Sequence, residues 1–213
     1  MLAKLIAFFL LGLVRLLTGA QARWYGCPPK AEQRIYFANH QSHADLVMIW
    51  AALPQELRSI TRPVAAKDYW TKTRFRHWIT TAVFNAVYVD RSGGKPAAGE
   101  APPAEAVDPL QPLEEALERG DSIIIFPEGT RGAGDDPQAF KSGLYTLAQR
   151  FPHVVLVPTW IQNIQRVMPK GEVVPVPILC SVTFGAPVQV EAGEERRPFL
   201  DRARLAVMAL RDI

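Results

Sequence analysis

Two short polar segments of this sequence contain residue types that can carry out acid–base chemistry or bind an anion. Residues 39–45 read Asn-His-Gln-Ser-His-Ala-Asp, so the imidazole of His40 is followed five residues later by the carboxylate of Asp45. Such a pair can form a general base and its orienting partner. Residues 126–131 read Phe-Pro-Glu-Gly-Thr-Arg, in which backbone amides and a guanidinium can hold a phosphate. Together the segments predict chemistry on a hydroxyl group of a phosphorylated substrate.

Residues 39–45 also allow two other interpretations. Ser42 and Asp45 have the spacing of a capping box, in which Asp45 only caps a helix and His40 is a hydrogen-bonded turn residue. On this segment alone, the capping interpretation is favoured. His40, His43 and Asp45 could instead bind a metal ion, but their spacing differs from the His-Glu-x-x-His pattern of zinc helices. We therefore expect no metal site. A metal-dependent hydrolase, which would use these three residues as ligands, is kept as an alternative function.

Residues 126–131 contain three groups suited to an anion. Gly129 lets the backbone approach a phosphate closely, Thr130 offers a hydroxyl, and Arg131 offers a bidentate guanidinium. Glu128 is unusual in such a site, and we count it with the substrate-binding residues as one that orients Arg131 or the loop. The plainer interpretation is a surface turn with an exposed salt bridge.

Two further cations follow predicted strands. Arg91 comes two residues after the strand that ends at residue 89, and Lys67 comes directly after the apolar residues 64–66. Ligand-binding groups in α/β sheets usually lie at the carboxyl ends of strands. We therefore add Arg91 and Lys67 to the predicted substrate-binding residues.

The segments that position these groups alternate between strands and helices, which predicts an α/β fold with a mixed sheet flanked by helices. The predicted strands are 34–38, 64–66, 86–89, 122–126, 154–157 and 179–184. The predicted helices are 46–53, 74–83, 110–119, 142–150 and 199–210. Residues 92–109 are rich in Gly, Pro, Ala and Glu, a composition that predicts a mobile insertion within the domain.

The first residues differ from this pattern. Residues 5–14 are an uncharged apolar run between Lys4 and Arg15, shorter than the ~20 residues of a spanning helix. Lys4 and Arg15 fall on nearly the same helix face, which favours a helix lying in a membrane interface. A cleaved signal peptide ending near residues 20–22 is the rival interpretation. We favour a retained interfacial anchor at 1–23, followed by one domain at 24–213.

Composition narrows the class of protein further. The chain has 213 residues, enough for one domain with a sizeable core. A mean hydropathy of +0.01 excludes a polytopic membrane protein. The net charge is only +3 and no run of five Lys or Arg occurs, so nucleic acid is not an expected partner. Anionic lipid surfaces or phosphorylated substrates fit this mild basic bias better.

Taken in order, these segments resemble the glycerolipid acyltransferases of the lysophosphatidic-acid acyltransferase (PlsC-like) type. That family's block NHxSxxD is matched by residues 39–45. Its second block, an apolar strand ending in Arg, is matched by residues 87–91. Its block FPEGTR is matched letter for letter at 126–131 and is followed by Phe-Lys-Ser-Gly at 140–143. An apolar strand ending in Val-Pro is matched at 157–161, so the resemblance runs from about residue 35 to about 165.

The resemblance implies a glycerol-3-phosphate acyltransferase-like fold and a specific reaction. A fatty acyl group would move from acyl-coenzyme A or acyl carrier protein to the sn-2 hydroxyl of 1-acylglycerol-3-phosphate, forming phosphatidic acid. His40 would remove the hydroxyl proton while Asp45 orients it. The acceptor phosphate would be held by residues at three strand ends: Arg91, Gly129, Thr130, Arg131 and, more weakly, Lys67.

The resemblance also implies the surroundings of the reaction. No cofactor is expected beyond the acyl thioester, which is a co-substrate. The partners would be a lysophospholipid, the thioester donor and a membrane surface, with the protein peripheral or monotopic on the inner (cytoplasmic) membrane and its active site facing the cytoplasm. A different lysolipid acceptor is the alternative within the class, and a non-enzymatic membrane-binding protein is a further alternative.

Overall fold

The protein is described by a computed structural model over residues 2–19, 21–42, 44–90, 108–132, 134, 136–163 and 179–213. Helices and strands alternate along most of this length. The helices are α1 Leu2–Thr18, α2 Asp45–Ala52, α3 Gln55–Ser59, α4 Lys67–Trp70, α5 Arg74–Ala82, α6 Gln111–Glu118, α7 Gly143–Arg150 and α8 Arg196–Met208. The strands are β1 Gln21–Trp24, β2 Arg34–Ala38, β3 Thr61–Ala66, β4 Val87–Val89, β5 Ser122–Ile125, β6 Val155–Gln162 and β7 Ser181–Phe184.

The described strands form one seven-stranded sheet in the order β1-β7-β6-β2-β5-β3-β4. Strands β2 to β6 are parallel to one another, whereas β7 runs antiparallel to β6 and β1 runs parallel to β7. The predicted mixed α/β fold is therefore confirmed. Because β2 to β6 share one direction, their carboxyl ends meet at the same edge of the sheet.

Strand β2 lies in the middle of the sheet and belongs to both faces of the core. Its residues are all buried, and they alternate, with Ile35 and Phe37 in one hydrophobic cluster and Tyr36 and Ala38 in the other. Helix α2 packs in the cluster of Tyr36, whereas helices α6, α7 and α8 pack in the cluster of Phe37. Helices therefore flank the sheet on both sides, which explains why β2 after Arg34 is a continuous apolar run.

Helix α1 packs against the domain along one side. Ala7, Leu11 and Val14 contact the cluster of Tyr36, while Phe8 and Phe9 are 76% and 67% exposed. In the part of the chain that the structure describes, no helix combines the length and apolar character needed to cross a bilayer.

We predicted an anchor over residues 1–23, and helix α1 occupies Leu2–Thr18 of that segment. Residues Gln21 to Trp24 form strand β1, which pairs with β7 along its whole length. The predicted anchor segment therefore contains helix α1 and the first three residues of strand β1. The predicted insertion at 92–109 lies outside the described residues except for Asp108 and Pro109, and Arg91 lies outside them too.

Candidate active site

The predicted site residues gather at the shared carboxyl edge of the parallel strands. His40 follows β2, residues 126–131 follow β5, and Lys67 follows β3. Strands β2 and β5 are neighbours in the sheet, with Phe37 paired to Ile125. This adjacency places the histidine beside the loop that carries the Gly-Thr-Arg residues.

His40 and Asp45 form a hydrogen-bonded pair. His40 Nδ1 lies 2.9 Å from Asp45 Oδ2, and the side chains are 19% and 1% exposed. The carboxylate partner assigns the proton to Nδ1, which leaves Nε2 with a lone pair for accepting a proton. The ring also stacks on Phe126, with centroids 4.3 Å apart. Two contacts therefore fix both the tautomer and the plane of the imidazole.

Asp45 also organises the turn before α2. Its Oδ2 accepts hydrogen bonds from the amide nitrogens of Gln41 at 2.6 Å and Ser42 at 2.8 Å. Hydrogen bonds to a charged group contribute about 1.5–3 kcal/mol each, and they offset the cost of burying this carboxylate. The bond to the Ser42 amide is half of the predicted capping box. The other half is absent, because the residue before the helix is Ala44 and the Ser42 hydroxyl accepts from the Ala44 amide at 3.2 Å.

Glu128 connects the loop after β5 to His40. Its Oε1 accepts from the backbone nitrogen of His40 at 2.7 Å, and its Oε2 accepts from the backbone nitrogen of Gln138 at 2.8 Å. Burial raises the pKa of the Glu128 carboxyl, and these two hydrogen bonds oppose that rise. We expected Glu128 to orient Arg131 or the loop. Among the described residues, its hydrogen bonds are with the backbone of His40 and of Gln138, so it holds the loop against His40 and forms no hydrogen bond or ion pair with Arg131.

Two further contacts fix the position of the His40 backbone. Gly132 donates its amide to the carbonyl of His40 at 2.8 Å, so the loop binds His40 from both sides of the residue. Asn39 donates from Nδ2 to the carbonyl of Ile161 at 3.2 Å and accepts at Oδ1 from the amide of Ile161 at 2.8 Å. The end of β2 is therefore held by the loop after β5 and by strand β6.

The three predicted anion-binding groups follow Glu128 on the same loop. Gly129 has φ of +71°, a conformation that glycine adopts without strain. Thr130 and Arg131 are exposed, and Arg131 forms no ion pair with a carboxylate of the described residues. The side chains of Thr130 and Arg131 are therefore accessible to a ligand from solvent.

Lys67 and the remaining predicted residues are less closely connected. Lys67 is exposed at the first position of α4 and directly follows strand β3, which lies beside β5 in the sheet. In the described part of the chain, no hydrogen bond or ion pair joins Lys67 to His40. Arg91 and His43 lie outside the described residues. Within the described residues, no three His, Cys, Asp or Glu side chains are arranged to hold a metal ion.

Sequence reasoning missed two residues near this loop. Gln138 acts through its backbone amide, for which residue type gives no signal. Lys141 lies across Gly129 and belongs to the Phe-Lys-Ser-Gly segment that we noted only as part of the resemblance. The arrangement as a whole offers a positioned base beside a cationic loop, which suits proton removal from a hydroxyl of an anionic molecule.

Comparison with known proteins agrees with this arrangement. The model of the family described as Acyltransferase matches residues 27–162. The protein named 1-acyl-sn-glycerol-3-phosphate acyltransferase from Cocos nucifera is 29% identical over 171 residues, which cover 76% of this chain and 48% of that protein. A chloroplastic protein of the same name from Arabidopsis thaliana is 36% identical over 69 residues, 32% of this chain and 19% of that protein. The chain therefore spans less than half the length of these curated relatives.

A solved structure resembles the fold along almost the whole chain. The crystal structure of the 1-acyl-sn-glycerophosphate (LPA) acyltransferase PlsC from Thermotoga maritima matches with a TM-score of 0.67 at 20% identity. The match covers 98% of this chain and 79% of that protein. Because the family match includes strands β2 to β6 and both polar segments, the predicted family is confirmed, and this chain belongs to the acyltransferase family.

Proposed function

We propose that this protein transfers a fatty acyl group from an acyl thioester to the sn-2 hydroxyl of 1-acylglycerol-3-phosphate, forming phosphatidic acid. The observation that carries the proposal is the His40–Asp45 pair held beside the exposed Thr130 and Arg131 by Glu128. The names of the relatives from Cocos nucifera and Arabidopsis thaliana support the choice of acceptor.

In the proposed reaction, the lone pair on His40 Nε2 removes the proton of the acceptor hydroxyl. The hydroxyl oxygen attacks the thioester carbonyl carbon, and the resulting tetrahedral species expels the thiolate as the carbon–sulfur bond breaks. The imidazolium then returns the proton to the leaving thiolate. Asp45 stabilises the imidazolium while it exists. The reaction needs no resident cofactor, because the thioester supplies the activated acyl group.

The acceptor phosphate is proposed to bind at the loop after β5. Arg131 can bind two phosphate oxygens at once, and the Thr130 hydroxyl can donate a hydrogen bond. The Gly129 amide donates to the carbonyl of Phe126 at 3.0 Å, so Gly129 contributes through the shape of the turn. Lys67 and Arg91 also belong to the proposed set, since each follows a strand that ends at the same edge of the sheet.

The test of the proposal is an acyl-transfer assay with several lysolipids and both donors. We expect 1-acylglycerol-3-phosphate to have the highest kcat/KM with acyl-coenzyme A, acyl carrier protein or both, and activity to be unchanged by EDTA. A higher kcat/KM for another lysolipid would show that this lysolipid is the acceptor, and the protein would still be a lysolipid acyltransferase. Loss of activity with EDTA, together with hydrolysis instead of transfer, would support the metal-dependent hydrolase.

We also propose that helix α1 docks the protein on the cytoplasmic face of the inner membrane. A lysolipid acceptor resides in the bilayer, and the exposed Phe8 and Phe9 point away from the side of α1 that packs on the domain. Aromatic residues on one face of a helix are typical of interfacial binding. The proposal places the active-site edge within reach of both the lipid and a soluble donor.

A double variant tests the membrane proposal. Replacing both phenylalanines (Phe8→Ser, Phe9→Ser) should lower the partition coefficient on vesicles containing phosphatidylglycerol roughly 100-fold or more, because each buried Phe is worth about 1.5–3 kcal/mol. Co-sedimentation measures the bound fraction. Leu205→Ser is the matched control, since Leu205 is also an exposed apolar residue but lies on helix α8. Equal binding of the double variant and the native protein would contradict the proposal.

A further inference from the structure

The side chain of Lys141 lies along the loop that follows β5. Its Nζ atom is 2.5 Å, and its Cε atom 2.7 Å, from the position that a β-carbon on Gly129 would occupy. Any other residue at position 129 would need this lysine to move. Gly129 therefore has two functions: it adopts the left-handed turn, and it leaves space for the lysine side chain to cross the loop.

The backbone at Lys141 is anchored although its side chain is exposed. The Lys141 amide donates to the carbonyl of Pro127 at 2.8 Å. This hydrogen bond joins the beginning of the loop after β5 to its end. The preceding Phe140 is buried and packs edge-on against Phe37 of β2, with centroids 6.3 Å apart. The position of the ammonium is thus limited by a fixed Cα and the length of the lysine side chain.

The positive charge of Lys141 is not neutralised by the described part of the chain. It forms no ion pair with a carboxylate there. Glu128, which lies on the same loop, is buried and accepts hydrogen bonds from the amides of His40 and Gln138. The lysine and Arg131 are therefore two exposed cations on one loop, and both can bind an external anion.

We propose that Lys141 is a further ligand of the acceptor phosphate, together with Arg131. The inference rests on the proposed function, because it takes a phosphate monoester as the group that enters the site. Such a phosphate carries a charge of roughly −1.5 to −2 near neutral pH. The loop after β5 supplies two positive charges toward this phosphate, one from Arg131 and one from Lys141. These charges add to those of Lys67 and Arg91, which are proposed at the neighbouring strand ends. The lysine acts as a mobile point charge beside the planar guanidinium.

Lys141→Met tests the inference, because it removes the ammonium and keeps the length of the side chain. The dissociation constant of a short-chain 1-acylglycerol-3-phosphate, measured by calorimetry, should rise about 10- to 100-fold, as expected for loss of a hydrogen bond to a charged group. The acceptor KM should rise similarly with little change in kcat, since the lost interaction forms before the transition state. The affinity for a 1-acylglycerol, which lacks the phosphate, should stay the same.

Two further variants complete the experiment. Lys141→Arg should recover most of the affinity. Lys30→Met should behave as the native protein, because Lys30 is an exposed lysine that precedes β2 and so lies at the opposite edge of the sheet.

Direct binding separates this inference from the proposed function. If the native protein binds the phosphate lipid without turnover and Lys141→Met weakens that binding, the inference stands and the proposed function fails. Binding by Lys141→Met equal to that of the native protein overturns the inference whatever the turnover. Absence of any binding of phosphate lipids to the native protein overturns both.

Discussion

Replacing His40 by alanine is expected to lower kcat for acyl transfer by about 10² to 10⁴-fold, the range that positioned general-base action contributes. The variant loses the Nε2 lone pair that accepts the hydroxyl proton. The fold should persist, because the backbone bonds of residue 40 to Glu128 and Gly132 do not involve the imidazole. Steady-state kinetics with 1-acylglycerol-3-phosphate measures the loss, and circular dichroism with thermal unfolding measures the fold.

The matched control for this variant is His153→Ala. His153 is exposed and precedes β6, so it lies at the amino edge of the parallel strands, away from the proposed site. We expect native activity from it. A folded His40→Ala protein with near-normal kcat would exclude His40 as the base.

Replacing Asp45 by asparagine should have a comparable effect by a different route. Asparagine has nearly the same shape but no charge, so it neither stabilises the imidazolium nor holds the proton on His40 Nδ1. In hydrolases with a Ser-His-Asp triad, the corresponding change costs about 10⁴ in kcat, and we expect a loss of about 10² to 10⁴ here. Most of the loss should be in kcat, because the Asp45 side chain is only 1% exposed and we therefore expect no direct contact between it and the acceptor.

Asp121→Asn is the control for the loss of a carboxylate. Asp121 pairs with Arg62 at 3.1 Å just before β5, at the amino edge of the sheet. The Asp121→Asn variant should keep native activity, and its free energy of unfolding should fall by about 0–1 kcal/mol, as for other partly exposed ion pairs. If Asp45→Asn remains folded and shows native kcat, Asp45 is only a helix-capping residue.

Strand predictions were most accurate where local pattern and burial coincide. Strand β2 was predicted at 34–38 and is found at those residues, because every one of them is buried between helices on both faces. Strand β6 was predicted to end at residue 157 but continues to Gln162. Pro158 has no amide hydrogen to donate, yet its carbonyl accepts from Gly185 at 2.8 Å, so the strand passes through it.

The elements that sequence reasoning missed are short and depend on distant partners. Strand β1 has the sequence Gln-Ala-Arg-Trp and half-exposed side chains, so it lacks an apolar run. Its hydrogen bonds come from β7, about 160 residues later in the chain, with Gln21 paired to Ser181. Helices α3 and α4 have only five and four residues, too few for a periodic pattern.

The sequence by itself determined the chemical groups of the candidate site: an imidazole with a nearby carboxylate, and a glycine, hydroxyl and guanidinium in one loop. It also determined the family, because residue types and their order along the chain suffice for that. Only the tertiary structure decided the partner of Glu128, since this depends on β2 and β5 being neighbours in the sheet. For the same reason it alone placed Lys141 across Gly129, because no local pattern encodes a contact between segments joined by the packing of Phe140 on Phe37.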